Sequence, residues 1–323
     1  MRVVVTGGAG FIGSNLVDRL LAAGHRVVAI DNLSSGRDQF LGTARRHASF
    51  RFEEADLLTM GSDLRELMHG ADATVHLAAN ADIRFGWQDP ERDLWQNVVA
   101  THRVLEAVRQ EHVPRLVYSS TGSVYGEATI IPTPEDSPFP VQTSLYGASK
   151  LAAEGLIQAY AEGTGLQATI FRFASVLGPR YTHGHVIDFV RALRRNPSVL
   201  PILGNGEQRK SYFDVDDCVA AIELALTGDE LGGAFNLGID DSCTVKESAS
   251  WIATRLGVDP TFEFTGGDRG WIGDNPYIHL DISKVRARGW QPTCTIRAAV
   301  ERTVDWLLAE PWVLELPDPR AHA

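Results

Sequence analysis

The sequence predicts an α/β protein: a doubly wound parallel sheet with helices on both faces, then a smaller mixed α/β C-terminal lobe. Three observations carry this. Short, almost wholly apolar runs at 2–6, 26–31, 50–55, 73–77, 116–120 and 168–173 read as strands buried on both faces. Longer amphipathic stretches at 12–23, 93–111 and 144–163 lie between them, and such alternation of strand and helix builds a parallel sheet. After about residue 175 the rhythm loosens into helix-like pieces at 186–194, 215–226, 245–256 and 296–308, separated by loops rich in Gly, Pro and Asp.

The first strand, Arg2 to Thr6, runs straight into Gly7-Gly8-Ala9-Gly10-Phe11-Ile12-Gly13, and the following helix carries Leu16, Leu20 and Leu21 on one face. Gly7, Gly10 and Gly13 suit a tight strand-to-helix turn, close approach of backbone to a pyrophosphate, and close packing of helix on strand. The phosphates would sit on free N–H groups at the positive end of the helix. With a strand before it and a helix after it, this turn marks a Rossmann-type dinucleotide site.

The second strand ends on Asp31, 18 residues after Gly13, where a carboxylate accepts hydrogen bonds from the adenosine ribose and repels a 2′-phosphate. The expected cofactor is NAD rather than NADP. Two features leave alternatives open: Arg37 could serve a 2′-phosphate, and Asp31 could simply begin the turn Asn32-Leu33-Ser34-Ser35-Gly36. Asp56 and Leu57, after the third strand, suit the adenine edge. The fourth strand leads into Asn80-Ala81-Asp82-Ile83-Arg84, which could face a substrate, Arg84 an anionic one.

The fifth strand ends in Ser119-Ser120-Thr121-Gly122-Ser123, and strand ends of an open parallel sheet face the ligand crevice. Thr121 is the first choice for a hydroxyl that binds a substrate oxygen, with Ser120 and Ser123 as second choices; each could instead bond its own backbone. The next helix opens with Tyr146-Gly147-Ala148-Ser149-Lys150, so Tyr146 and Lys150 share one face. A phenol is a poor base near neutrality; a neighbouring ammonium should stabilise the phenolate and lower its pKa. A surface ion-pair partner is the bland alternative, and the dinucleotide turn upstream tips the choice toward catalysis.

The domain limits read as 1–174 for the dinucleotide-binding part, 175–310 mainly for the substrate lobe, and 311–323 for a tail, with a strand at 234–237 returning to the first sheet. The 323 residues carry 30 Lys+Arg against 41 Asp+Glu, a net charge of −11, which argues against a nucleic-acid- or membrane-binding surface, though not against a local basic patch. No signal peptide and no apolar run long enough for a membrane span is read. Cys218, Cys243 and Cys294 are too scattered for a disulfide framework or a zinc site, so a reducing, cytoplasmic setting is expected. His183 and His185 lie two apart but the sequence places no further ligands, so no metal is expected.

Together these motifs resemble the extended short-chain dehydrogenase/reductase family, in its nucleotide-sugar epimerase/dehydratase branch. The likeness runs through Thr6 to Gly13, Asp31-Asn32, His76-Leu77-Ala78-Ala79, Asn97, Ser119-Ser120-Thr121, Tyr146 to Lys150 and Gly178-Pro179-Arg180. It continues through Gly204-Asn205-Gly206-Glu207-Gln208, Asp216-Asp217 and Asn236-Leu237-Gly238. The resemblance implies NAD held tightly by Gly7, Gly10, Phe11, Ile12, Gly13, Asp31, Asn32, Asp56, Leu57, Leu77, Ala78, Ala79, Asn97, Ser119, Tyr146 and Lys150. It implies a nucleotide diphosphate sugar in the cleft, a UDP-hexose first, with ADP- or GDP-sugars open. Tyr146 would be acid/base, Lys150 its tuner and ribose anchor, and Thr121 the hydroxyl partner. Hydride from sugar C4 would pass to the nicotinamide, giving a 4-keto sugar.

Dehydratases of this branch carry an Asp-Glu pair after the strand-end hydroxyl. Gly122 and Ser123 stand there instead, which disfavours 4,6-dehydration and leaves 4-epimerisation, with hydride returned to the other face. Three departures concern substrate contacts: Ser175 replaces the usual Asn, Lys210 beside Arg209 replaces an Arg, and the usual Arg-x-Gly-Asp is stretched to Arg269-Gly270-Trp271-Ile272-Gly273-Asp274. Lysine neutralises phosphate only as a point charge. Ser123, Ser175, His183, Val186, Arg209, Lys210 and Arg269 are the expected substrate contacts; for His183 an ordinary loop position and for Arg269 a surface one are the alternatives. The helices at 93–111 and 144–163 resemble the pair that forms a homodimeric four-helix bundle in relatives. A dehydrogenase or decarboxylase with net cofactor turnover, and a non-catalytic nucleotide sensor, are the rival readings.

Overall fold

Alternate residues of the first strand explain the layers. The computed structural model describes residues 1–80, 86–138, 141–228, 231–270 and 277–316; Arg84, the 271–274 end of the stretched arginine motif and the tail beyond 316 lie outside them. Strands β1 (Arg2–Thr6), β2 (Arg26–Asp31), β3 (Phe50–Glu54), β4 (Ala73–His76), β5 (Arg115–Thr121) and β6 (Gln167–Phe173) match the six apolar runs to within one residue at each end. With Gly233–Leu237 they form one seven-stranded sheet, in the order Gly233–Leu237, β6, β5, β4, β1, β2, β3, all neighbours parallel.

Val3, Val4 and Val5 are fully buried because both sheet faces are covered. Val3 and Val5 join a core with Leu16 and Leu20 of helix α1 (Phe11–Ala22). Val4 joins a second core on the other face. That core holds Leu64 of α2 (Asp63–Met68), Val104 and Leu105 of the helix Ala100–Gln110, and Ile157 of the helix Leu145–Thr164.

The stretch 93–111, expected as one α-helix, is three pieces: α3 (Pro90–Asp93), a π-helical segment at Leu94–Val99, and α4 (Ala100–Gln110). The wider π turn lets Asp93 and Asn97 both face inward, where Asn97 Nδ2 donates to Ser149 Oγ at 2.9 Å and to Asp93 Oδ1 at 3.3 Å. Helix α5 (Leu145–Thr164) begins cleanly because Ser144 Oγ caps it, accepting from Gly147 N at 3.0 Å, and ends at Gly165 in the left-handed region.

The second lobe is built from short pieces: β7 (Ser175–Leu177), α6 (His185–Arg195), β8 (Val199–Ile202), β9 (Arg209–Lys210) and β10 (Tyr212–Asp214). Then come α7 (Val215–Thr227), β11 (Gly233–Leu237), β12 (Cys243–Thr244), α8 (Val245–Leu256), β13 (Thr261–Phe264), β14 (Tyr277–Ile278), α9 (Ser283–Arg286) and α10 (Ile296–Ala309). Helices α6, α8 and α10 enclose a third core through Ile187, Val190, Ile252, Val300 and Leu307. Helix α7 instead packs back on the sheet, its Cys218 and Ile222 in the core that α1 covers. The tail expected from 311 is corrected: Pro311–Glu315 is a short helical turn with Val313 fully buried. It is held because the Arg191 guanidinium donates to the carbonyls of Val313, Leu314 and Leu316 at 2.8–3.1 Å.

Candidate active site

The glycine turn is forced by space. Gly7 has φ +70°, and a Cβ there would lie 2.7 Å from Ala78 N; a Cβ on Gly13 would lie 2.0 Å from Gly7 O. The turn is pinned by Gly7 N and Gly8 N, which donate to Ile30 O at 2.8 and 3.2 Å. Next to it, Asp31 Oδ2 accepts from Ala9 N at 3.0 Å and Oδ1 from Leu33 N at 2.8 Å. Burial raises the Asp31 carboxyl above its usual range, and these two N–H groups and Arg37 oppose that. The Arg37 guanidinium donates to Gly36 O at 2.7 Å. Asp56 is held by Leu58 N at 2.8 Å and by Asn32 Nδ2 at 3.0 Å.

Asp31 and Asp56 line one cavity of about 770 Å³, which runs from them past the strand ends to the second lobe. Gly7, Gly10, Phe11, Ile12, Gly13, Asn32, Leu57, Leu77, Ala78, Ala79 and Ser119 line it too. So do Thr121, Ser123, Tyr146 and Lys150. The turn therefore fits a dinucleotide on two counts: a cradle in which added Cβ atoms have no room, and a carboxylate at the ribose position.

Thr121 sits at the end of β5 as the cap of a short helical turn, accepting from Ser123 N at 3.1 Å and donating to Ser123 Oγ at 3.2 Å. Gly147 lets the first turn of α5 close on this loop, since a Cβ there would lie 2.7 Å from Ser123 O. That closeness brings Tyr146 to Thr121. Lys150, one turn on, donates to Ser119 O at 2.8 Å and lies 4.7 Å from the Tyr118 ring centroid. Burial pushes the Lys150 ammonium down to about 7, against the pull of Glu154 and Asp93.

The Tyr146 phenol corrects an expectation. It is pushed up, to about 12, because burial outweighs the Thr121 hydroxyl, which pulls it down; the Asp93 charge adds to the rise. The Lys150 ammonium is directed at the Ser119 carbonyl rather than at the phenol.

The remaining placements divide. Ser175, His183 and Lys210 line the cavity. Asn97, Val186, Arg209 and Arg269 do not, and each has a physical reason. Asn97 is 1 % exposed and belongs to the network with Asp93 and Ser149. Val186 is fully buried in the third core. Arg209 donates to Ser242 Oγ and Ser242 O, and Arg269 pairs with Glu127 on the surface.

The sequence reading missed one wall. His185, Asp188, Phe189, Ala192 and Arg195 all line the cavity from α6, at the i, i+3, i+4, i+7 spacing of one helical face. That spacing was available as a signal. His185 stacks on Tyr212 at 4.6 Å, meets Ser248 Oγ at 2.8 Å, and is pushed down to about 3 by burial and then by Lys210. Among the described residues, no group of three or more His, Cys, Asp or Glu could hold a metal ion, and no helix is long and apolar enough to cross a membrane.

Comparison with known proteins completes the picture. Residues 3–238 match the model of the NAD dependent epimerase/dehydratase family. The chain is 37% identical over 316 residues to the UDP-glucose 4-epimerase of Mycolicibacterium smegmatis, covering 95% of this chain and 98% of that one. It is 30% identical over 314 residues to UDP-glucuronic acid decarboxylase 1 of Arabidopsis thaliana, covering 94% of this chain and 69% of that one. The solved UDP-glucuronic acid 4-epimerase of Bacillus cereus, in complex with UDP-glucuronic acid and NAD, superposes with a TM-score of 0.88 at 27% identity, covering 96% of this chain and 100% of that one. The chain thus belongs to the NAD dependent epimerase/dehydratase family of the extended short-chain dehydrogenase/reductase type, an enzyme family whose cofactor is NAD.

Proposed function

We propose that this protein is a UDP-hexose 4-epimerase that keeps its NAD through the cycle. One observation carries the reading: Thr121, Tyr146 and Lys150 line the cavity together, and the two residues directly after Thr121 are Gly122 and Ser123, neither of them a carboxylate. Elimination of water would need an acid and a base there.

When bound, NAD accepts and returns the two electrons of a C–H bond. The chain's own residues do the rest. Gly7, Gly10 and Gly13 leave room for the pyrophosphate at the N-terminus of α1, and Asp31 accepts from the ribose. Tyr146 takes the proton from the sugar hydroxyl and gives it back, Thr121 and Ser123 orient that oxygen, and Lys150, anchored on Ser119 O, holds the nearby ribose. On the second lobe, Ser175, His183 and Lys210 meet the sugar and diphosphate. Turnover of the sugar in the cleft then exposes its other face, and the 4-keto species needs no further acid or base.

The named relatives that act on UDP-glucose and UDP-glucuronic acid favour uridine over adenine or guanine as the base. A homodimer, packed through α4 and α5 in the cytosol, belongs to the same reading. Leu94 and Trp95, 51% and 47% exposed beside α4, support it, and light scattering tests it. The function is tested with the purified protein and UDP-glucose or UDP-galactose, products identified by NMR. Interconversion without added NAD and without a rise in absorbance near 340 nm is expected. Net NADH formation or loss of carbon dioxide from a UDP-uronic acid would replace this reading with the dehydrogenase or decarboxylase one.

A further inference from the structure

Behind the cavity wall lies a carboxylate that the proposed mechanism does not use. Asp93 is 1 % exposed at the C-terminal end of α3, where the π-helical segment begins. Its Oδ1 accepts from Asn80 Nδ2 at 2.8 Å and from Asn97 Nδ2 at 3.3 Å. Its Oδ2 is buried without a hydrogen-bond partner among the described residues. Gly86 leaves the room it occupies, since a Cβ there would lie 3.2 Å from Oδ2.

The connection onward is short. Asn97 Nδ2 donates to Ser149 Oγ at 2.9 Å, and Ser149 Oγ donates to the Tyr146 carbonyl at 2.8 Å. Asn97 Oδ1 accepts from Asn80 N at 2.9 Å, so the asparagine is held on both sides. Two side chains, Asn97 and Ser149, therefore tie Asp93 to the start of α5, the helix that carries Tyr146 and Lys150. A buried carboxylate with a bare oxygen costs stability: burial raises the Asp93 carboxyl above its usual range, and the Asn80 amide, Arg92 and Lys150 oppose that.

We propose that Asp93 is a positioning residue for the Tyr146–Lys150 pair: its carboxylate charge keeps Lys150 an ammonium in its buried site, and its hydrogen bonds through Asn97 and Ser149 fix the turn that aims Tyr146. This rests on the catalytic reading given above. Among the described residues, the charged and titratable groups around this corner are Arg92 and Asp89 beside Asp93, Lys150 and Glu154 from α5, and Tyr118, Tyr146 and His76. Glu154 also raises Lys150, but it is engaged by the Arg172 guanidinium at 2.7 Å, whereas Oδ2 of Asp93 has no hydrogen-bond partner among the described residues.

The signs are definite. Removing the charge at Asp93 makes the Lys150 ammonium harder to hold and the Tyr146 phenolate easier to form, so both titrations move to lower pH. A packing role alone moves neither.

The chain has four lysines, Lys150, Lys210, Lys246 and Lys284, so lysine ε-carbon NMR can follow Lys150 directly, assigned with Lys150→Met. In Asp93→Asn the Lys150 midpoint should fall by about one pH unit, a ten-fold change in the ammonium ratio. The pH–rate profile should move the same way, with KM within about two-fold. Ser149→Ala cuts the bridge and keeps the charge, so it should lower kcat and leave the Lys150 midpoint where it is. An unmoved midpoint in Asp93→Asn overturns the proposal, whether the carboxyl is protonated or too remote. The NMR readout needs no substrate, so this failure is separate from a failure to epimerise UDP-hexoses. If Asp93→Asn does not fold, Asp93→Glu replaces it: a retained midpoint with reduced kcat supports the proposal, and a midpoint that falls although the charge is kept overturns it.

Discussion

The cavity has two walls of different construction. The sheet-side wall is made from strand ends: Gly7 after β1, Asp31 on β2, Leu77 after β4, Thr121 on β5. Backbone hydrogen bonds of a seven-stranded sheet fix these positions, so a residue's place follows from where its strand stops. The second-lobe wall comes from a helix face on α6, a two-residue strand at β9 and loops, whose orientation depends on packing between distant segments. Almost every residue expected on the first wall lines the cavity, and about half of those expected on the second do. Strand ends are local facts, and lobe surfaces are long-range ones.

If the first wall carries the chemistry, its loss should be the largest. Tyr146→Phe keeps the ring in place and removes the only group proposed to move the proton; kcat should fall about 10³-fold with KM little changed. A fall of less than about ten-fold would move acid/base work to another group and break the distinction between the walls.

The same wall should be intolerant of volume where a glycine away from the cavity is not. In Gly13→Ala the new Cβ meets Gly7 O at 2.0 Å, backbone that cannot move without opening the turn. A loss of about 1–3 kcal/mol in denaturant unfolding, with loss of co-purified NAD, is expected. Gly257 lies at positive φ, +71°, with nothing within 4 Å, so Gly257→Ala reports backbone strain alone and should retain NAD.

The legibility of the two walls differs for reasons these residues make plain. Six strands could be read to within one residue, five of them because an apolar run buried on both faces leaves little choice of limits; β3 corrects that expectation, since it lies at the sheet edge with none of its five residues buried. Asp31 could be read from its distance to the glycine turn. Arg209 and Lys210 could not be told apart, because neighbours on a strand point to opposite sides and nothing local says which side is the cavity. Val186 was misplaced for a related reason: α6 starts at His185, and its core face takes Val186 while His185, Asp188 and Arg195 turn to the cavity. Asn97 was hidden by the π-helical turn, which no periodicity of 3.6 anticipates.

Lys210 and Arg209 therefore offer a sharper test of the second wall. Lys210 lines the cavity, while the Arg209 guanidinium is held 2.9–3.1 Å from Ser242. Lys210→Ala should raise KM for the nucleotide sugar about ten-fold, the value of one charge-assisted contact. Arg209→Ala should change it less than about two-fold. Equal effects would mean that the diphosphate draws on the field of both cations rather than on a defined contact.

The smallest expected effect compares one histidine on each side. His76 is fully buried in the sheet, its ring nitrogens 2.7 Å from Thr6 Oγ1 and 3.0 Å from Thr101 Oγ1. Burial, and then the Lys150 charge, pushes it down to about 3, as burial and Lys210 do for His185. A histidine depressed in the folded state is protonated first in the unfolded one, so each withdraws stability as pH falls from about 6.5 towards 3 and has no effect above about 7. The slope for one such proton is about 1.4 kcal/mol per pH unit. His76→Gln should remove nearly all of its share from urea unfolding measured between pH 4 and 6. His185 lines the cavity and is only half-buried, so water screens it and His185→Gln should remove less. Equal slopes would make the second wall as closed to water as the sheet; a shallower slope for His185 fits a wall that solvent reaches, which is where a bulky polar substrate has to enter.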